Sequence, residues 1–76
     1  MNYADMTDGE LYDAAVAAGM EFSLMKTGDL CVGSGLLGWD AERTQRVCRI
    51  DREIRTRWGR FVAFAKLKLW AGGEGW

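Results

Sequence analysis

Apolar residues recur at helical spacing through most of the second half of this chain, and this pattern constrains the fold more than any other feature. The spacing predicts a long helix from Asp40 to Trp70, or two helices broken near Gly59. Apolar and polar residues also come close to alternating over residues 60–70, which is typical of a strand, but the alanines there favour a helix. The apolar positions, which fall within about 60° of one line at 100° per residue, are Val47, Ile50, Ile54, Trp58, Phe61, Val62, Ala65 and Leu69.

The first half of the chain predicts a helix followed by a β-hairpin. Thr7 and Glu10 have the spacing of a capping box, and Gly19 stands where a helix commonly ends in the left-handed conformation. Residues 20–33 alternate apolar and polar on either side of a turn that contains Gly28. The expected fold is therefore α+β, in the order helix, hairpin, long C-terminal helix, with the helices covering one face of the hairpin. The apolar face of the first helix consists of Leu11, Ala14, Ala15 and Ala18.

The chain has 76 residues, and we expect one domain over residues 1–70 with a flexible tail over residues 71–76. A domain of this size hides only about 60% of the surface that its unfolded chain exposes, so its core is small. We do not expect so small a core to enclose all of the large aromatic side chains, which are four Trp, three Phe and two Tyr. Rings that remain outside the core are expected to anchor a partner. Trp58 lies on the apolar line and is expected in the core, whereas Trp70 and Trp76 lie outside that line and are the predicted anchors.

Charge is distributed unevenly along the chain. Residues 1–39 hold six acidic and one basic residue, against four acidic and nine basic over residues 40–70. This asymmetry indicates a charged partner, or acidic and basic halves that neutralise one another within the chain or in a homodimer. Arginines repeat at every third position over residues 43–55, so on a helix they spread around the cylinder. The arginines predicted to contribute to partner binding are Arg49, Arg52, Arg55 and Arg57.

Histidine is absent, which removes the commonest general base and the commonest metal ligand. Two cysteines without histidine cannot complete a tetrahedral zinc site within one chain. We therefore expect no catalytic residue, no metal and no cofactor. The acidic N-terminus lacks the features of a secretory signal, so we expect a cytoplasmic protein whose cysteines are reduced. We also expect both thiols, those of Cys31 and Cys48, to be buried. No apolar run approaches the ~20 residues of a membrane span.

The glycines that follow the predicted hairpin match a nucleotide-binding spacing without its context. Gly33, Gly35 and Gly38 fit G-x-G-x-x-G, which requires a βαβ unit and an acidic residue about 20 residues further on. Here that distance reaches Arg57 and Trp58, with no second parallel strand around them. A bent linker from strand to helix accounts for the glycines more simply, so nucleotide binding is not expected.

The sequence favours a non-enzymatic protein-binding module that acts by occluding a partner's surface. Small proteins of this kind are typical of phages and other mobile elements, where they inhibit host machinery. The alternative is a nucleic-acid-binding regulator that uses the arginine-rich helix over residues 40–70, with guanidinium groups on phosphates and aromatic rings on bases. A membrane partner is less favoured, because the apolar residues of segment 60–70 occupy too much of the helix circumference for a clean amphipathic helix.

Overall fold

The computed structural model describes residues 2–34 and 40–71, and over these ranges the predicted α+β fold is confirmed. Trp39, Trp76, Gly35 and Gly38 lie outside the described residues, so predictions that involve them stay predictions. The predicted tail also lies there, except for Ala71. The elements are the N-terminal turn (Tyr3–Asp5, a 3₁₀ helix), α1 (Asp8–Ala17), β1 (Met20–Leu24), β2 (Leu30–Ser34), α2 (Ala41–Thr56) and α3 (Trp58–Ala71).

Helix α1 begins with the capping box that the sequence predicts. The Thr7 hydroxyl accepts a hydrogen bond from the Glu10 backbone N–H (3.1 Å), and the Glu10 carboxylate accepts one from the Thr7 backbone N–H (2.9 Å). These two bonds satisfy backbone donors that a helix start otherwise leaves unpaired. Gly19 then takes a left-handed φ of 105°, which lets the chain turn from the helix into β1. The predicted apolar face is confirmed, with Leu11, Ala15 and Ala18 buried and Ala14 partly buried.

Strands β1 and β2 form an antiparallel hairpin in which Phe22 lies opposite Val32. Gly28 has a left-handed φ of 90° in the turn. The turn is closed by the Met25 N–H, which donates to the Asp29 carbonyl (2.8 Å). Because two strands alone are barely stable in water, the helices that cover one face of the hairpin hold it in place. The residues on that covered face include Met20, Phe22, Leu30 and Val32.

Both cysteines are exposed, which corrects the expectation that they are buried. Cys31 lies on the solvent side of β2, because its neighbours Leu30 and Val32 occupy the covered side and side chains alternate along a strand. Cys48 follows the buried Val47 on α2, and one helical step of 100° turns it out of the core. The two thiols are free, as expected.

The core lies where α1, α2 and α3 meet the covered face of the hairpin. Its centre is aromatic: the Tyr12 ring stacks on Phe22 with centroids 4.6 Å apart, and Phe61 lies 5.5 Å from Phe22. Aromatic pairs at such distances contribute about 0.5–1.5 kcal/mol each beyond the area that they bury. Five residues of the predicted apolar line are confirmed as buried, namely Val47, Ile50, Ile54, Phe61 and Ala65.

The long C-terminal helix is broken at Arg57, slightly before the predicted position near Gly59. Arg57 has φ −119° and ψ 36°, outside the helical range, and it separates α2 from α3. Helical hydrogen bonding resumes at once, because the Phe61 N–H donates to the Arg57 carbonyl (2.8 Å). Residues 60–70 are helical throughout, which confirms the helix and not the strand.

Trp58 is 43% exposed, which corrects its expected place in the core. That expectation rests on helical spacing, by which Trp58 lines up with Ile54 and Phe61. Trp58 does share a side of α3 with Phe61 and Ala65, which follow it by three and seven positions. It is, however, the first residue of α3, and the buried stripe of this helix begins one turn further on, at Phe61.

The buried phenol of Tyr12 predicts a loss of stability in alkaline solution. Burial raises the pKa of Tyr12 above its usual 10.0, and the negative charge of Asp13 acts in the same direction. The unfolded chain therefore releases this proton at a lower pH than the folded protein does. As a result, the free energy of unfolding falls as the pH rises above about 10. Urea titrations between about pH 8 and pH 11 should show a smaller decline for Tyr12→Phe than for the wild type.

Comparison at each pH isolates the contribution of the Tyr12 hydroxyl, because the phenylalanine ring keeps its place beside Lys68, whose Nζ lies 4.8 Å from the centre of the Tyr12 ring. Tyr3→Phe is the control and should keep the wild-type decline. The same decline in Tyr12→Phe and the wild type would contradict the prediction.

Candidate interaction surfaces

Arg57, one of the predicted partner-binding residues, is held inside the fold. Its guanidinium donates to Glu53 Oε2 from Nε (2.9 Å) and Nη2 (2.7 Å), to Asp8 Oδ1 (3.1 Å) and to the Met6 carbonyl (2.7 Å). The side chain is only 8% exposed. Hydrogen bonding to Glu53 raises the pKa of Arg57 above its ordinary range; burial opposes this and Asp8 adds to it. These contacts use its donors within the fold, so Arg57 is poorly placed to bind a partner.

Part of the charge separation along the chain is neutralised within the fold. Asp8 lies 3.1 Å from Arg57 and 3.0 Å from Arg60, and Asp13 lies 3.5 Å from Lys68. In each pair the acid comes from α1 and the base from the α2–α3 region. Internal neutralisation, one of the interpretations of the charge pattern, is therefore present, while the homodimer stays a prediction.

The arginines of α2 and of its C-terminal end divide into those that are ion-paired and those that are not. Arg43, Arg49 and Arg52 are exposed and form no ion pair with a residue in the described ranges. An exposed arginine without a carboxylate partner keeps its donors available for a ligand. The others contact the acid four positions earlier, in the pairs Glu42–Arg46 (3.5 Å), Asp51–Arg55 (2.9 Å) and Glu53–Arg57 (2.7 Å).

Two open depressions bring three of the predicted arginines together on α2. The smaller, about 230 Å³, lies between α2 and the N-terminal turn, and its lining includes Arg49, Arg52 and the backbone segment 2–4. The larger, about 570 Å³, also borders Arg52 and extends to Arg55. We call the surface formed by Arg49, Arg52 and Arg55 the arginine surface; Arg57 is not part of it.

The outer face of α3 is apolar although it faces solvent. We use this name for Ala63, Leu67 and Trp70, whose spacings of four and three residues place them on one side of the helix. Leu67 and Trp70 are each 69% exposed. Phe61 and Ala65, on the other side of α3, are fully buried. The helix thus has two apolar sides and uses one of them in the core.

Ala63 and Leu67 are the residues of this face that the sequence prediction missed. The signal is present in the sequence, because at 100° per residue both fall with Trp70 on the side away from the predicted apolar line. Trp70 is exposed as expected, and its role as an anchor stays a prediction. Trp76, the other predicted anchor, lies outside the described residues.

No protein-family model, characterised protein or solved structure matches this chain. Within residues 2–34 and 40–71, no group of three or more cysteine, aspartate or glutamate side chains is arranged to hold a metal ion. In the same part of the chain, no helix combines the length and the hydropathy needed to cross a bilayer. Function is therefore inferred from the two surfaces above, the arginine surface and the outer face of α3.

Proposed function

We propose that this chain is a non-enzymatic protein-binding module, which docks through the outer face of α3 and acts by covering part of its partner's surface. The observation that carries the proposal is the 69% exposure of both Leu67 and Trp70 on a helix whose other side already fills the core. Burying a leucine side chain contributes about 1.5–3 kcal/mol, and tryptophan is enriched among the residues that dominate interfaces. Because both stand on a packed helix, docking orders little new structure.

The charges of α3 indicate the chemistry of the partner. The helix carries Arg60, Lys66 and Lys68 and no acidic residue. Arg60 and Lys68 pair with acids of α1, whereas Lys66 forms no ion pair with a described residue. At 100° per residue, Lys66 lies next to Trp70 at the edge of the outer face. The partner that fits is a protein with an apolar groove for the outer face and an acidic rim opposite Lys66.

The narrowness of the outer face favours a groove in a protein over a membrane surface. Helices that lie on anionic membranes present a broad apolar face, but much of the apolar surface of α3 is committed to the core through Phe61 and Ala65. A narrow stripe with anchors at helical spacing is typical of helix-in-groove docking. The more specific expectations, a phage or mobile-element inhibitor and a cytoplasmic location, stay predictions.

Leu67→Gln should disrupt docking without unfolding the protein. The substitution removes about 1.5–3 kcal/mol of apolar burial and places an amide in the groove, so affinity should fall at least about tenfold. The measurement is quantitative capture of the partner from an extract of the source cells by immobilised wild-type and variant proteins, with circular dichroism to verify folding. Lys66→Glu, which would repel an acidic rim, should also weaken capture.

Val16→Gln is the matched control, because Val16 is an apolar residue of α1 that is 51% exposed. It should leave capture within about threefold of the wild type, as surface substitutions outside an interface do. Equal capture by Leu67→Gln and the wild type would contradict the proposal. Equal losses of capture in Leu67→Gln and Val16→Gln would contradict it as well. Leu67-dependent binding to anionic vesicles, or Leu67-dependent self-association, without any captured protein would also contradict it, by assigning the face to a membrane or to a second copy.

A further inference from the structure

We infer that Arg49 and Arg52, where α2 borders the N-terminal turn, bind the phosphate groups of a nucleic-acid backbone. This site is separate from the outer face of α3, and the inference does not depend on the proposed protein docking. The nucleic-acid contact, which the sequence analysis places on the arginine-rich helix over residues 40–70, is thereby restricted to one pair of side chains and the depression that they line.

The local charge of the depression is positive, because its acidic residue is already neutralised. Among the described residues that line it, Glu53 is the one carboxylate. Glu53 Oε2 accepts two hydrogen bonds from Arg57 at 2.9 and 2.7 Å, and the Glu53 side chain is only 17% exposed. Arg49 and Arg52 have no such partner among the described residues. Two guanidinium charges therefore remain for an anion from solution.

The spacing of the two arginines suits phosphate oxygens. Residues three positions apart on a helix have Cβ atoms about 5–6 Å apart, and Arg49 and Arg52 line the same depression. A guanidinium presents paired N–H donors that match two oxygens of one phosphate. Asn2, from the N-terminal turn, lines the depression too. The oxygen of its side-chain amide accepts a hydrogen bond from the Ala4 backbone N–H (3.2 Å). This leaves the N–H groups of the side-chain amide as further donors.

The shape of the surface favours a chain of phosphates over a single small anion. Both depressions are open, and both are bordered by Arg52 and Thr56. They therefore lie side by side on α2, as an open track and not an enclosed pocket. Arg55 stands on the second depression and is 71% exposed even though it pairs with Asp51. A backbone that repeats its phosphates can follow such a track, and sequence-independent binding of this kind is dominated by charge.

Arg49→Gln/Arg52→Gln should remove most of this binding. Fluorescence anisotropy with labelled short duplex and single-stranded DNA should give dissociation constants of about 10⁻⁴–10⁻⁶ M at about 50 mM salt. With two phosphates neutralised, duplex affinity should fall about 12-fold between about 50 and 200 mM salt. The double variant should bind at least tenfold more weakly at the lower salt concentration and lose most of this salt dependence.

Arg43→Gln/Arg46→Gln is the matched control, since it removes the same charge from the N-terminal end of α2. It should stay within about threefold of the wild type. Equal losses in both double variants would overturn the site, because they would show a response to net charge alone. So would the absence of wild-type binding at protein concentrations up to about 100 µM.

Competition distinguishes the source of the phosphate. At an equal concentration of phosphate groups, inorganic phosphate should displace the labelled DNA much less than unlabelled DNA does, because only a backbone presents several phosphates to the surface at once. Displacement by phosphate at low concentration would assign the site to a free anion and overturn the nucleic-acid inference. Loss of the captured protein partner on Arg49→Gln/Arg52→Gln, with DNA binding unchanged, would overturn it too, because it would assign the two arginines to the protein partner.

Discussion

Arg57→Met is expected to lower the free energy of unfolding by about 3 kcal/mol, near the low end of the cost of breaking a buried ion pair. The guanidinium, only 8% exposed, holds Glu53 and Asp8, which are 17% and 16% exposed. Its removal leaves two sheltered carboxylates without their shared cation and the Met6 carbonyl without its donor. Because Asp8 keeps Arg60 at 3.0 Å, the low end of the range applies. Methionine fills much of the vacated space, so the loss reports mainly charge and hydrogen bonding.

Urea denaturation measures this effect, and Arg55→Met is the matched control. Like Arg57, Arg55 pairs with the acid four positions earlier, here Asp51 at 2.9 Å, but the Arg55 side chain is 71% exposed. Exposed pairs contribute about 0–1 kcal/mol, so the control should stay within about 1 kcal/mol of the wild type. A small domain has a total stability near the low end of about 5–15 kcal/mol, and Arg57→Met should lose a large part of it. Equal effects of the two substitutions would show that the sheltered network does not stabilise the fold.

Phe61→Ala is expected to lower the free energy of unfolding by about 4 kcal/mol, as truncation of a buried aromatic residue does. Phe61 is fully buried, and its ring lies 5.5 Å from that of Phe22 and 6.2 Å from that of Tyr12. A loss of this size is close to the whole stability of a small domain. If Phe61→Ala has no cooperative transition, Phe61→Leu, expected to cost about 1 kcal/mol, keeps the effect measurable.

Leu67→Ala, a truncation on the same helix, separates the helical packing of residues 60–70 from strand-like packing. On a strand, Phe61 and Leu67 would share a face, because they are an even number of residues apart. On α3 they lie on different sides, and Leu67 is 69% exposed. Leu67→Ala should therefore change stability by less than about 0.5 kcal/mol. Comparable losses from Phe61→Ala and Leu67→Ala would contradict the placement of α3.

Features of the fold that depend on nearby residues could be predicted from the sequence. The bonds between Thr7 and Glu10 and the left-handed conformation at Gly28 each involve a few consecutive positions, so their residue types suffice to predict them. Exposure of Cys31 could also be predicted, because strand alternation already places it opposite to Leu30 and Val32. Cysteine is among the residue types that are most often buried, but at Cys31 the local pattern of the strand decides the exposure.

Features that depend on contacts between distant parts of the chain could not be predicted in the same way. Glu53, four positions before Arg57, indicates an ion pair, but the contacts of Arg57 with Asp8 and Met6 join residues about fifty positions apart. The break at Arg57 ends α2 and makes Trp58 the first residue of α3. Periodicity correctly placed Phe61 in the core, but it does not show where along a helix the buried stripe begins, and it was wrong for Trp58.

Photo-crosslinking from position 67 tests the central claim, docking of a protein on the outer face of α3, most directly. A photoreactive phenylalanine analogue would replace Leu67, and in separate proteins it would replace Val16 and Arg52. The account predicts that a partner protein is crosslinked from position 67 and not from position 16. Crosslinking of the partner from position 16 or 52 but not from position 67 would contradict it.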